Sequence, residues 1–216
     1  MFVKQLVIVG AGGFGRELLA WARDNKESLP IKGFLDDRSE ALDRFTKDVH
    51  VIGSVADYRP APEDVFVCAM GNVHNKVRCI ELLRARGATF GRLIHRTAVI
   101  GDNVALGDGV ILCPFVVVGS DVVLDAFVTV NYHSTVAHDT RVGYFTQLHC
   151  HVDVTGSVVI GERVTIGSHS SVLPGVNVGN DAVIGAGSIV MRDVPPNTTV
   201  FSTPARPLAQ KEVARA

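Results

Sequence analysis

Three glycines close to the amino terminus have the spacing of an anion-binding turn. Gly10, Gly12 and Gly15 form a G-x-G-x-x-G motif, which follows the apolar run Leu6–Val9 and opens a helix-like run at Phe14. In this context the turn presents free backbone N–H groups to a phosphate, and the helix dipole favours the same negative charge. The sequence therefore predicts a diphosphate-binding turn.

Two carboxylates follow this turn at the distance of a ribose-binding acid. Asp36 and Asp37 lie about 20 residues beyond Gly15, where an acidic side chain can accept hydrogen bonds from a ribose or a base. The ligand can be a nucleotide-linked sugar or a dinucleotide, and a turn that only packs a helix on a strand has the same glycines. We favour the nucleotide-linked sugar, because about ninety residues cannot hold two mononucleotide-binding halves.

The elements around these residues indicate a small α/β domain over residues 1–90. Strands are predicted at Leu6–Val9, Lys32–Leu35 and Asp64–Ala69, and helices from Phe14 to about Asp24 and over roughly Lys76–Arg86. Strands that alternate with helices form a parallel sheet. We therefore expect a truncated, Rossmann-like doubly wound sheet with one crevice beyond its strand ends.

The second half of the chain repeats every six residues and predicts a parallel β-helix over residues 91–194. Seventeen consecutive aliphatic residues stand six apart from Ile94 to Val190, and the next residue is often glycine, which we interpret as a corner. Three such sides make a coil of about 18 residues. We expect prolines to end the solenoid and leave a tail over residues 195–216; these are Pro195, Pro196, Pro204 and Pro207.

Three histidines share one column of this repeat. His133, His151 and His169 are each 18 residues apart, so they should stack on one face. A metal column is one interpretation, but no acidic residue shares the column, and we favour a structural or interface role without a metal.

Composition excludes several classes of function. With 47% hydrophobic residues and 21 Lys+Arg against 22 Asp+Glu, the net charge is -1, which argues against a disordered chain and against nucleic acid as a partner. The four cysteines form no C-x-x-C pair, so we expect reduced thiols and a cytoplasmic protein. The sequence has no run of the roughly 20 apolar residues that a membrane span needs.

The two regions and several local motifs resemble a known enzyme family. GAGGFGRE at Gly10–Glu17, FLDD at Phe34–Asp37, AMGN at Ala69–Asn72, VAHD at Val136–Asp139 and TPARPL at Thr203–Leu208 are similar to motifs of the sugar O- and N-acyltransferases with hexapeptide repeats. The resemblance is to the sialic acid O-acetyltransferase and bacillosamine-pathway N-acetyltransferase type and covers nearly the whole chain. It implies a left-handed β-helix, acetyl-CoA as acyl donor, no metal and a homotrimer.

The resemblance implies that His138 is the general base. Asp139 can hold the imidazole tautomer only if the two residues lie at a corner, and otherwise it caps a turn. One coil later, Gly156 should stack on this corner, where its N–H can stabilise an oxyanion or where it is an ordinary corner glycine. Asn131 matches a polar position that orients the acceptor or the acyl group.

The remaining site residues divide between two ligands. In the nucleotide-sugar members the glycine turn holds uridine diphosphate, and Phe14 stands where some members have histidine. The expected substrate-binding residues are Gly10, Gly12, Gly13, Phe14, Gly15, Asp36, Asp37, Gly71, Asn72 and Asn131. The residues expected to contact acyl-CoA are Gln147, where some members have histidine, Gly156, Gly167, Ser168, Gly185, Ala186, Pro204 and Arg206.

These expectations predict direct transfer of an acetyl group from acetyl-CoA to the amino group of a nucleotide-linked amino-deoxy sugar. O-acetylation of sialic acid or of a polysaccharide precursor would use the same base and donor. A nucleotide-sugar-binding scaffold without catalysis is the third alternative, which His138, Asp139 and Gly156 disfavour. In a trimer, three active sites are expected at the subunit interfaces.

Overall fold

The computed structural model describes residues 3–25, 29–45 and 48–202, and it contains the two predicted regions. The first is an α/β domain that contains the predicted strands and helices. Its elements are β1 Gln5–Val9, α1 Gly13–Asp24, β2 Ile31–Leu35, β3 Val51–Gly53, β4 Asp64–Cys68, α2 Val73–Arg84 and β5 Thr89–Phe90. Strands β2, β3 and β4 follow one another with no described α-helix between them.

The five strands form one parallel sheet in the order β3-β2-β1-β4-β5. The strand order reverses beside β1, since β2 and β4 lie on its two sides, and ligands of open α/β sheets bind beyond the carboxyl ends of the strands at such a point. Apolar side chains such as Ile8, Phe34 and Phe66 are fully buried in and around the sheet. Strands β3 and β5 were not predicted, because they have only three and two residues.

The second region is a parallel β-helix of two-residue strands, as predicted. Its strands are β6 Leu93–Ile94, β7 Val99–Ile100, β8 Ala105–Leu106, β9 Ile111–Leu112, β10 Val117–Val118, β11 Val123–Leu124, β12 Thr129–Val130, β13 Thr135–Val136, β14 Arg141–Val142, β15 Gln147–Leu148, β16 Asp153–Val154, β17 Val159–Ile160, β18 Thr165–Ile166, β19 Ser171–Val172, β20 Asn177–Val178, β21 Val183–Ile184, β22 Ile189–Val190 and β23 Thr199–Val200.

Three parallel sheets form the faces of this β-helix. Face 1 contains β6, β9, β12, β15, β18, β21 and β23; face 2 contains β7, β10, β13, β16, β19 and β22; face 3 contains β8, β11, β14, β17 and β20. Paired residues are one 18-residue coil apart, as in Val117 with Thr135, so the predicted register is confirmed. We call the three corners the 1/2 edge, the 2/3 edge and the 3/1 edge.

The residue that turns the chain at each corner is not the one that was predicted. The left-handed backbone conformation recurs every sixth residue, three positions after the inward aliphatic residue, as at His133 (φ 57°) and Asp139 (φ 57°). The glycines that directly follow the aliphatic residues instead allow the backbones of successive coils to approach each other closely. A Cβ on Gly119, for example, would lie 2.8 Å from the backbone nitrogen of His138 in the next coil.

The two ends of the solenoid also differ from the simple repeat. Ile100 is 39% exposed, because no coil lies below the first one. The expectation that Pro195 and Pro196 end the solenoid at residue 194 is wrong, since β23 pairs with β21. The last coil is shorter, and there the Asp193 carboxylate accepts a hydrogen bond from the Asn177 backbone N–H at 2.8 Å.

The α/β domain packs on face 1. At the end of α1, the Asn25 amide donates to the Ile94 carbonyl in the first coil at 2.7 Å, whereas Trp21 meets Tyr132 two coils later, with ring centroids 6.4 Å apart. Helix α1 therefore runs along the solenoid axis beside the 1/2 edge, and its amino terminus points towards the later coils. Among the described helices, none is long and apolar enough to cross a membrane.

Candidate active site

The glycine turn is shaped by two of its glycines. Gly10 has φ 100°, which favours glycine, and a Cβ on Gly15 would overlap the Gly10 carbonyl oxygen. Gly12 and Gly13 face open space, since a Cβ at either position would meet nothing within 4 Å. Gly12 is the N-cap of α1 and supplies no side-chain cap, so the first N–H groups of the helix remain open to a ligand.

Asp36 holds this turn from the end of β2. One carboxylate oxygen accepts from the Ala11 backbone N–H at 2.9 Å, and the other accepts from Arg38 Nε at 3.0 Å. Burial opposes ionisation of Asp36, but the hydrogen bonds from Arg38 and Ala11 outweigh it and lower its pKa. Asp36 therefore supports the turn, and Asp37 beside it is exposed.

The end of β4 completes the edge of the sheet. Exposed Gly71 leads into Asn72, whose side-chain oxygen accepts from the Asn75 backbone N–H at 2.9 Å and so caps α2. A Cβ on Gly10 would lie 3.2 Å from the Ala69 carbonyl oxygen, which shows how closely the two strand ends approach. The structure thus brings the predicted residues of the α/β domain together beyond the carboxyl ends of β1, β2 and β4. Phe14, half-buried, packs edge-to-face on Trp21.

The 2/3 edge carries a paired histidine and carboxylate. His138 Nδ1 lies 2.7 Å from Asp139 Oδ2. These adjacent side chains meet because Asp139 adopts the left-handed conformation at the corner. With Nδ1–H donated to the carboxylate, the neutral ring keeps its lone pair on Nε2.

Gly156 lies directly against this histidine, one coil further along. A Cβ on Gly156 would be 2.7 Å from His138 Nε2, so only glycine leaves the ring its place. Within the part of the chain that the structure describes, the Gly156 N–H donates no hydrogen bond. A basic nitrogen and a free backbone donor therefore share one exposed corner.

The 1/2 edge carries four of the residues expected to contact acyl-CoA. Gly167 and Ser168 lie one coil below Gly185 and Ala186, and a Cβ on Gly167 would be 2.5 Å from the Ala186 backbone nitrogen. Asn131 lies two coils below Gly167 on the same edge and is 7% exposed. The predicted Pro204 and Arg206 lie outside the described residues.

Gln147 does not lie in an open groove, contrary to expectation. It is 1% exposed beneath α2, and its side-chain oxygen is 3.5 Å from Lys76 Nζ. The α/β domain thus covers it from any ligand on the solenoid. Lys76, predicted only as the first residue of a helix, is itself 1% exposed and donates to Thr129 Oγ1 at 2.8 Å. Burial lowers the pKa of Lys76 to about 8.

The predicted residues therefore form two groups in a single chain. Asn131 and the glycine turn at the start of α1 lie beside the 1/2 edge, whereas His138 and Gly156 lie on the 2/3 edge. The 2/3 edge is the corner opposite face 1, which carries the α/β domain. One chain does not bring the two groups together.

The three column histidines stack as predicted. The rings of His133 and His151 have centroids 5.1 Å apart, and those of His151 and His169 are 4.6 Å apart, each pair with planes within 6°. Phe115 continues the stack below His133, a member that the 18-residue spacing would have found. Burial and the neighbouring histidines lower the pKa of His151. No group of metal-ligating side chains occurs among the residues with described positions.

Two family profiles match the chain. The PglD N-terminal domain matches residues 5–83, and the hexapeptide repeat of succinyl-transferase matches residues 157–192. A comparison with curated proteins found no match.

Solved structures match over nearly the whole chain. The acetyltransferase domain of PglB from Neisseria gonorrhoeae, in complex with acetyl coenzyme A, is 28% identical with a TM-score of 0.85, covering 96% of this chain and 100% of its own. WeeI from Acinetobacter baumannii is 27% identical with a TM-score of 0.83, covering 94% and 99%. PerB from Caulobacter crescentus, in complex with CoA and GDP-perosamine, is 26% identical with a TM-score of 0.84, covering 95% and 97%.

Proposed function

We propose that this chain, which belongs to the sugar acyltransferases with a PglD-type N-terminal domain and hexapeptide repeats, transfers an acetyl group from acetyl-CoA to a sugar. The acceptor is the amino group of a nucleotide-linked amino-deoxy sugar. The observation that carries the proposal is the contact between His138, oriented by Asp139, and Gly156. The similar structures bound to acetyl coenzyme A and to GDP-perosamine support the two substrate classes.

The proposed reaction is a direct transfer. The sugar amine attacks the thioester carbonyl carbon, and His138 Nε2 takes the proton that the amine loses. The Gly156 N–H donates to the oxygen that becomes negative in the tetrahedral intermediate. The intermediate collapses with loss of the coenzyme A thiolate, which takes the proton back from the imidazolium, so the products are an amide and a free thiol.

The α/β domain is proposed to hold the nucleotide. Its diphosphate would lie at the open N–H groups beside Gly12 and Gly13, and exposed Asp37 can accept hydrogen bonds from the nucleoside. Phe14 supplies no hydrogen-bond donor, so the turn binds the diphosphate through backbone groups.

The reaction requires more than one chain, because the two groups of site residues lie on different edges. A closed ring of identical chains can place the 1/2 edge of one chain against the 2/3 edge of the next. We propose a homotrimer with an active site at each interface. The donor would lie along Gly167 and Gly185 of one chain, opposite His138 of its neighbour.

The proposal is tested by incubating the full chain with acetyl-CoA and a panel of acceptors. The panel holds nucleotide-linked amino sugars, the matching hydroxyl sugars, and the free amino sugars without nucleotide. We expect thiol release and a product heavier by one acetyl group only with nucleotide-linked amines. If the hydroxyl sugars are acetylated instead, the reaction is O-acetylation rather than N-acetylation. If no acceptor gives thiol release, the assignment as an enzyme is refuted.

A further inference from the structure

The two edges that meet in the proposed trimer have opposite charge character. On the 1/2 edge, the corners from 95–98 to 185–188 contain five histidines and Arg96 but no acidic residue. On the 2/3 edge, the corners from 101–104 to 173–176 contain three aspartates but no lysine or arginine; these are Asp102, Asp121 and Asp139. The difference concentrates in the left-handed corner positions, where side chains project outwards.

On the 1/2 edge, these positions form the histidine ladder, which consists of His133, His151 and His169. All three side chains are exposed. Because the stacked rings are parallel, their nitrogen lone pairs do not point towards a common centre. The three side chains therefore cannot bind one metal ion together. The ladder can instead take up protons and present positive charge to a partner.

On the 2/3 edge, the same positions hold Asn103, Asp121 and Asp139. Asp121 is exposed and accepts a hydrogen bond from the Asn103 amide at 3.1 Å. Asp139 accepts from His138. This acidic column ends at Ser157 and Gly175, which carry no charge.

The heights of the two columns match. A rotation about an axis parallel to the solenoid preserves height, and each coil rises by about 4.8 Å. Asp139 follows His133 by a third of a coil, or about 2 Å, and Asp121 precedes it by two thirds, or about 3 Å. In such a ring His133 therefore faces the acidic column of the next chain, whereas His169 faces its uncharged end.

We propose that the histidine ladder and the acidic column form a pH-sensitive contact between neighbouring chains. Protonation of His133 adds attraction to Asp121 and Asp139 of the next chain, so the assembly tightens as the pH falls from 8 to 6. This inference rests on the proposed trimer and adds an electrostatic link to its assembly.

Two carboxylates near the ladder act in the same direction as the acidic column, whereas the stacked histidines oppose one another's protonation and His138 partly offsets the charge of Asp139. Tyr132 packs edge-to-face on His133 and His151, and its hydrogen bond with Cys150 raises its pKa. Glu17 approaches Tyr132 from α1. On face 2, the Asp153 carboxylate is hydrogen-bonded by Thr135. The Glu17 and Asp153 carboxylates favour positive charge on the ladder.

The test measures subunit exchange of the full chain. Two fluorescently labelled preparations are mixed at pH 6 and at pH 8 in low salt, and energy transfer reports the exchange rate. We expect exchange about three- to tenfold slower at pH 6, as one or two exposed ion pairs per interface imply, and a loss of this difference in high salt.

Matched variants separate the proposed contact from other effects of pH. His133→Phe keeps the stack, since Phe115 occupies the same position one coil below, and should abolish the pH difference. Asp121→Asn tolerates the left-handed conformation and should reduce the difference without abolishing it, because Asp139 remains. His169→Phe removes an equal charge opposite the uncharged end and should leave most of the difference.

Three results would overturn the proposal: equal wild-type rates at both pH values, an unchanged pH difference in His133→Phe or Asp121→Asn, or a chain that stays monomeric. Acetyl transfer is assayed separately on the same samples. If the protein transfers acetyl groups but its subunit exchange does not depend on pH, only the proposed contact is wrong. If exchange depends on pH but no acetyl transfer is found, only the proposed function is wrong.

Discussion

The glycine turn and the 2/3 edge both offer backbone N–H groups to a ligand, but the chain forms them in different ways. In the turn, Gly10 and Gly15 are required by the local backbone, and Asp36 holds the loop from another strand. At the edge, the coil repeat determines the backbone conformation, and the side chains of His138 and Asp139 project from a corner that recurs every six residues. Substitutions of His138 and Asp139 should therefore change catalysis without changing folding. Substitutions in the glycine turn can change both.

The largest effect is expected for His138→Asn. The side chain is exposed, as is its partner Asp139, so folding should persist, while acetyl transfer should fall about 10²–10⁴-fold, as for loss of a general base. Steady-state thiol release and a thermal melt measure the two effects. His50→Asn, an exposed histidine of the α/β domain, is the control and should keep full activity. Wild-type turnover in His138→Asn would remove the proposed base.

The next largest effect is expected at the turn, for Gly12→Val. A side chain fits there in the free protein but would occupy the diphosphate position, so the acceptor KM should rise about 10–100-fold, in line with lost hydrogen bonds to a charged group. Acetyl-CoA affinity, measured by calorimetry, should not change.

Gly15→Ala is the contrasting variant, since its methyl group would overlap the Gly10 carbonyl and should lower the melting temperature instead. If Gly12→Val weakens acetyl-CoA binding as much as acceptor binding, the division of the two ligands between the turn and the solenoid is wrong.

A smaller effect is expected for Asp139→Asn. Asparagine tolerates the left-handed conformation and can still accept the His138 Nδ1–H, but it loses the negative charge that favours the imidazolium. We expect kcat/KM about tenfold lower, by analogy with the groups that orient metal-bound histidines. A loss equal to that of His138→Asn would mean that the Asp139 carboxylate is required to hold His138 in its reactive tautomer.

The six-residue repeat made much of the solenoid and of its 2/3 edge predictable from the sequence. Because neighbours in the solenoid before the last coil differ by 18 residues, the sequence alone placed Gly156 against His138 and stacked the histidine column. It did not predict which corner residues would take the left-handed conformation, because aspartate, histidine and phenylalanine share that position with glycine. It also missed the contact between Lys76 and Gln147, since packing between two domains leaves no periodic signal in either.

Lys76 joins the two regions, and Lys76→Met tests what that contact contributes to stability. In the folded protein its pKa is about 8, below its value of about 10.4 in an unfolded chain. Between these values the unfolded chain binds more protons, so stability should rise with pH from 8 to 10. Methionine fills a similar volume without charge and should remove this dependence.

At pH 7, Lys76→Met should stabilise the protein by about 1 kcal/mol, since relief from burying a charge is partly offset by the unpaired Thr129 hydroxyl. Urea unfolding between pH 7 and pH 10 measures both effects, with Lys4→Met as an exposed control. If the variant is less stable at pH 7, the ammonium group contributes more through Thr129 and Gln147 than its burial costs. The contact would then hold the α/β domain and the solenoid together by hydrogen bonding rather than by apolar packing.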